Sequence, residues 1–138
     1  MKLWLDDLRP APEGYKRALG VSHAIIIIEK AEEDIQDAIE TIHSYEDNYE
    51  RCTEWQKNHY EKSIKPIMLN RITDNTIELL DLDHDLGDYA KFGGDGVKLL
   101  DWLEETGRNY PIRIHSMNAV GRENMIRICR KNNWTILD

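Results

Sequence analysis

Ile77-Glu78-Leu79-Leu80-Asp81-Leu82-Asp83-His84-Asp85-Leu86-Gly87 is an apolar run that ends in alternating acids and a histidine. Its apolar part is too short for an independent helix and is bounded by Gly87, which predicts a buried strand of a parallel sheet. Any chemistry then gathers where that strand stops.

Working outward, residues 2–6 form a first strand that delivers Asp6 and Asp7 to its carboxyl end, where Pro10 and Pro12 block further ladder or helix. Residues 13–19 suit a short helix stopped by Gly20, and residues 23–28, with four consecutive isoleucines, suit a second strand covered on both faces. From Ala31 apolar residues recur at steps of three and four through Ile35, Ala38, Ile42, Tyr45, Tyr49 and Cys52, predicting one long helix that reaches about residue 62. Residues 45–75 overhang a small sheet and form an apparent helical insertion, a candidate surface for self-association. Beyond the central strand, residues 95–106 predict a helix with Asp95 as N-cap, residues 112–116 a strand, and residues 118–131 a helix capped by Asn118. Residues 134–137 make a fifth strand. Strands alternating with helices imply a five-stranded parallel doubly wound α/β sheet of order 2-1-3-4-5, in one domain spanning residues 1–138 with the helical insertion after the second strand.

Composition narrows the function. Apolar residues at 41% and charged ones at 32% describe an ordinary globular protein, and a formal net charge of -8 argues against a protein that coats duplex nucleic acid. Cys52 and Cys129 lie in no metal-like spacing and are expected to be reduced thiols. No signal peptide and no apolar stretch near 18 residues is present, so a cytoplasmic protein without a membrane span is expected.

In the 2-1-3-4-5 order, the first and third strands flank the topological switch point, so Asp6, Asp7, Asp83 and Asp85 converge there. Carboxylates so placed repel one another unless a cation sits among them or one holds a proton. All-oxygen donors suit Mg²⁺ or Mn²⁺, which makes these four the expected metal ligands. His84 and His115 stand at carboxyl strand ends and are candidate proton carriers beside Asp83. His84 is the weaker of the two, because a strand that continues through it turns it away from the direction shared by Asp83 and Asp85. Ser116, Asn118, Arg9 and Arg122 are candidate phosphate contacts, with Asn118 opening a helix N-terminus.

An acidic pair after the first strand, an acid after the third and a hydroxyl after the fourth resemble the receiver domains of two-component signalling. In that comparison Asp6 and Asp7 match the metal pair, Asp83 the phosphoacceptor and Ser116 the hydroxyl residue, whereas the fifth strand is not followed by the receiver lysine. A more specific resemblance, carried by Leu5-Asp6-Asp7-Leu8-Arg9-Pro10, Leu82-Asp83-His84-Asp85-Leu86-Gly87 and His115-Ser116-Met117-Asn118-Ala119-Val120-Gly121-Arg122, is to the cyclic-phosphate processing receiver domain family. That resemblance implies hydrolysis of a cyclic phosphate, on a nucleotide or a 2′,3′-cyclic RNA end, with a small phosphorylated ligand or RNA end as partner. The alternative is a non-catalytic atypical receiver acting as a signalling or interaction module. A second resemblance, to haloacid-dehalogenase-like phosphatases, rests on Asp81 and Asp83, which alternation allows to enter one crevice.

Overall fold

The computed structural model describes residues 1–138. Five parallel strands, β1 (Lys2–Leu5), β2 (Tyr15–Ala18), β3 (Leu79–Leu82), β4 (Ile112–Ile114) and β5 (Ile136–Leu137), form a single sheet of order β2-β1-β3-β4-β5. The order and parallel sense are those the sequence predicts. The helices are α1 (Val21–Asp47), α2 (Glu54–His59), α3 (Lys65–Asn75), α4 (Val97–Glu105) and α5 (Ala119–Lys131).

The second strand lies elsewhere than expected. Residues 13–19 do not form a helix; Gly14 takes a φ of 84° and Tyr15–Ala18 pairs with β1 in its place. His23 to Ile28, expected as a strand, are the opening turns of α1. Val21, Ala24, Ile28 and Ala31 are buried while Ile26 is 63% exposed, which is helical and not alternating spacing. Isoleucine lowers helix stability by only a few tenths of a kcal/mol, so burial of one stripe overrides four such residues.

The long helix also breaks earlier than its periodicity suggests. It ends at Asp47, a short 3₁₀ turn follows at Tyr49–Arg51, and Thr53 starts α2 with a capping box closed by Gln56. A π turn over Tyr60–Ile64 leads into α3, with Pro66 in the first helical turn, where a missing N–H costs nothing. Glu29–Thr76 is one compact unit, and Met1–Ile28 with Ile77–Asp138 is another. Tyr60 anchors the helical unit: fully buried, it donates to Glu46 Oε1 at 3.1 Å and stacks on Tyr45, and burial beside that carboxylate pushes its pKa up to about 12. Cys52 and Cys129 are both free thiols.

The sheet has two unlike faces. Leu3, Leu5, Leu80, Leu82, Ile112 and Ile114 point one way and are buried. The crossovers through α4 and α5 run in the same direction along the sheet, and right-handedness places both helices on that apolar face. The β1–β2 connection runs the opposite way and contains no helix. On its side of the sheet, register aligns Trp4 with Asp81 and Asp81 with Arg113. Alternation then places Asp6, Asp83 and His115 on this polar face. Ladder hydrogen bonds Asp83 N–H to Leu5 O (2.8 Å) and His115 N–H to Leu82 O (3.0 Å) carry the extended geometry to these residues.

Candidate functional site at the carboxyl edge

β1 positions Asp6, which is 2% exposed, and its Oδ1 accepts the amides of Leu8 (2.8 Å) and Arg9 (2.9 Å) to turn the chain out of the strand. Its other oxygen meets His115 Nε2 at 2.9 Å. The second ring nitrogen of His115, Nδ1, meets Asp81 Oδ1 at 2.7 Å. Trp4 stacks on the same imidazole, ring centroids 4.0 Å apart and planes 4° from parallel. The remaining Asp81 oxygen faces Arg113 (3.4 Å) and the Tyr15 hydroxyl (3.5 Å).

An imidazole with a carboxylate on each nitrogen is best satisfied as the cation, since only that form donates twice. Burial works against the charge on His115, but the hydrogen bonds to Asp81 and then Asp6 outweigh it and raise the pKa. Burial likewise pushes Asp6 upward, yet the two backbone amides and His115 prevail and hold it below the usual carboxylate range. Arg9 adds positive charge to this corner through contacts to the His115 carbonyl (3.2 Å) and Asp6 (3.8 Å).

Asp83 lies beside this couple and behaves differently. Desolvation raises its pKa and the neighbouring Asp6 charge adds to the rise, against the opposing hydrogen bond from Ser116. Its Oδ1 also accepts the His84 amide at 2.8 Å, and Ser116 Oγ accepts the Asn118 amide at 3.1 Å. Gly96 is required here: a Cβ at that position would stand 1.9 Å from the Asp83 carbonyl oxygen, so only glycine lets the start of α4 meet the end of β3.

A second histidine–carboxylate couple lies past Asp83. β3 ends at Leu82, so the expected alternation does not run on through the trio: His84 Nδ1 meets Asp85 Oδ1 at 2.7 Å, where alternation would turn the two side chains opposite ways. Asn118 Nδ2 donates to the same oxygen at 3.1 Å while Asn118 Oδ1 caps α5 through the Gly121 amide. These two contacts, His84 first, hold the Asp85 carboxyl below its ordinary pKa. Any Cβ on Gly121 would come within 2.7 Å of the His84 ring, so that glycine seats the imidazole against the first turn of α5.

The predicted residues therefore gather as two clusters and not as one acidic pocket. Asp6, Asp83 and His115 bring ligand-capable atoms within 4.8 Å of one another, and His84, Asp85 and Asp95 do so separately. Asp7 belongs to neither cluster; its carboxylate lies against Gly87. Four carboxylates around one cation are thus not assembled, and the hard oxygen donors of the first cluster are Asp6 and Asp83 alone. Arg122 is exposed in the first turns of α5, its amide bonded to the Asn118 carbonyl at 2.8 Å, while Arg9, Ser116 and Asn118 make side-chain contacts within the site. Asp95 does not cap α4; its Oδ1 accepts the Leu86 amide at 3.1 Å. Asp81, Arg113 and Tyr15 as partners of the His115 couple go beyond the predicted set, although alternation from Asp83 and His115 points at Asp81 and Arg113.

A parallel sheet of this order, with an acid from β1, an acid from β3 and a hydroxyl after β4 at one edge, defines a receiver-like α/β protein. The chain belongs to the cyclic-phosphate processing receiver domain family, whose model matches residues 42–131. The match takes in the Asp83-His84-Asp85 and His115-to-Arg122 motifs together with most of the helical unit, and begins after Asp6 and Asp7. Comparisons with curated proteins and with solved structures returned no match. No helix is long and apolar enough to cross a membrane.

Proposed function

We propose that the protein opens cyclic phosphodiesters, as found on 2′,3′-cyclic nucleotides or RNA ends, with His84 as the proton acceptor and Asp83 at the centre of the site. The observation that carries this reading is the line of contacts His84–Asp85–Asn118–Ser116–Asp83, which continues past Asp83 to the His115 couple. Hydrolysis needs a base for the attacking water, a proton for the departing ribose oxygen and positive charge near the phosphoryl oxygens.

His84 suits the base. Asp85 holds its Nδ1, which leaves Nε2 to accept a proton from water, and the imidazole sits at the first turn of α5, where helix amides favour an anion. Asp83, whose carboxyl is shifted toward holding a proton, suits the donor to the leaving oxygen, and Ser116 orients it. Water then forms the new P–O bond, the bond to one ribose oxygen breaks, and the proton passes from Asp83 to that oxygen. His115, with both nitrogens occupied, serves as fixed positive charge, which reverses its expected standing relative to His84 as a proton carrier. If Mg²⁺ or Mn²⁺ takes the place of the Asp83 proton, Asp6 and Asp83 would hold the ion as carboxylates. The ion would then supply Lewis-acid polarisation of a phosphoryl oxygen, and the departing oxygen would be protonated from solvent in place of Asp83.

Turnover of the four nucleoside 2′,3′-cyclic phosphates by variants tests these roles. Asp83→Asn and His84→Ala should each lower kcat by about 100- to 10,000-fold with far-ultraviolet circular dichroism unchanged. Wild-type rates in both variants would remove the site from the reaction. The signalling alternative is carried by the Asp83–Ser116 contact alone, and stable labelling of Asp83 by acetyl phosphate without cyclic-phosphate turnover would favour it.

A further inference from the structure

Helix α5 inverts the charge of the protein that carries it. Between Ala119 and Lys131 stand four basic residues, Arg122, Arg127, Arg130 and Lys131, against the single acid Glu123. The whole chain has 18 basic residues against 26 acidic ones, which leaves 14 against 25 outside this helix. All four basic side chains are exposed, and Lys131 alone among them is ion-paired, to Glu104 at 3.4 Å. Three unpaired arginines on one helix concentrate positive potential there, in a protein whose remaining charge repels anions.

The basic helix starts at the carboxyl-edge site. Asn118 bonds Asp85 and caps α5, Gly121 seats the His84 ring against its first turn, and Arg122 is next in the chain. Arg127 and Arg130 lie about 9 and 14 Å further along the axis than Gly121. A nucleotide advances only about 3.4 Å along one strand of a helix, so these two arginines are spaced for phosphates beyond the one that reacts. At the near end Met117 (86% exposed) and Val120 (73%) offer apolar surface to a base or ribose.

We infer that the exposed face of α5 binds the backbone of a single-stranded RNA whose 3′ end carries the cyclic phosphate. Arg127 and Arg130 take upstream phosphates, and the terminal ester lies at the first turn beside His84. This inference rests on the cyclic-phosphate reading for the reacting end only; the phosphate-binding face is independent of turnover. The preferred substrate is then an oligonucleotide end and not a free cyclic nucleotide, because a mononucleotide engages the first turn alone. Backbone contacts carry no sequence information, so the strand is held whatever its bases. Acids over the rest of the surface repel the strand and leave α5 as its path.

Fluorescence anisotropy of a 5′-labelled octauridylate with a 3′-hydroxyl end, titrated at salt concentrations from about 50 to 200 mM, tests the face without turnover. The logarithm of the affinity should fall against the logarithm of salt with a slope near about −2, from ~0.7 for each phosphate met by Arg122, Arg127 and Arg130. Arg127→Gln combined with Arg130→Gln should reduce that slope by about 1.4 and weaken binding about tenfold or more. Arg71→Gln, which removes a charge from the exposed side of α3, should change neither. Absence of binding, a slope unmoved by the double variant, or sedimentation in which these arginines instead join α5 to the acidic helical unit of a second copy would overturn the inference. Turnover of uridine 2′,3′-cyclic phosphate and of octauridylate ending in the same ester separates this face from catalysis: kcat/KM should be about tenfold or more higher for the oligomer, and the double variant should lose the excess. Arginine-dependent binding without turnover of either ester would keep the face and remove the phosphoesterase reading; equal turnover of both without octauridylate binding would do the reverse.

Discussion

At the scale of single residues, the pair of histidines divides the work by what their nitrogens touch. His115 spends both on buried carboxylates, whereas His84 spends one on an exposed carboxylate. Removing His115 therefore does more than remove a side chain: it strands Asp6 and Asp81, both 2% exposed, without their shared cation. The loss of one partner from a buried ionic group costs about 3–5 kcal/mol, so His115→Ala should lower the unfolding free energy obtained from urea titration by an amount of that order. A pH dependence follows from the raised His115 pKa. The folded chain binds this proton more tightly than the unfolded chain, so the stabilisation is complete below about 6.5 and fades as pH rises through the higher folded value. Melting temperatures of wild type and His115→Gln should differ more at pH 5.5 than at pH 9; a constant difference would mean that the ring is not charged in the fold.

Among the elements, the sequence is most legible where local pattern and burial agree. The run at Ile77 gives the central strand and Asn118 gives the cap of α5, whereas alternation fails at His84, which bonds Asp85 because the strand has already ended at Leu82. It misleads at residues 13–28, because β-branched isoleucines favour strands locally while the packing that decides between strand and helix comes from residues far away in sequence. The polar segment Tyr15-Lys16-Arg17-Ala18 gives no hydrophobic signal, since an edge strand buries little. Substitution at two isoleucines separates the alternatives. In a strand Ile26 and Ile28 share a face; in α1 they lie about 200° apart, one exposed and one fully buried. Ile26→Asp should change stability by less than about 0.5 kcal/mol, and Ile28→Asp should cost several kcal/mol, on the order expected for an unpaired buried charge. Equal costs would argue for the strand. The break after Asp47 had a readable sign in Thr53-Glu54-Trp55-Gln56, a capping box hidden inside a periodic apolar stripe.

Across the whole molecule, the two unlike sheet faces explain where the site comes from. The absence of a helix between β1 and β2 leaves a face on which Trp4, Asp81, Arg113 and His115 replace the usual aliphatic layer. That substitution was written in the period-two pattern of acids along β3. Which carboxylate meets which imidazole was not, because such pairing depends on distances across three strands. The convergence of acids from β1 and β3 was likewise legible from strand order, while the separation of Asp7 and Asp85 from the Asp6–Asp83 pair depends on loop geometry that spacing does not encode. The family match adds a chemical class to this fold but covers residues 42–131, so the contribution of β1 rests on the geometry of Asp6.

Phosphorus-31 magnetic resonance of adenosine 2′,3′-cyclic phosphate incubated with the protein, with and without Mg²⁺ or Mn²⁺, tests the central claim most directly. Hydrolysis at the proposed site predicts replacement of the cyclic-ester resonance by that of one monophosphate regioisomer, at a rate that collapses with Asp83→Asn. Persistence of the cyclic resonance under all three conditions, for this and the other three nucleosides, would contradict it.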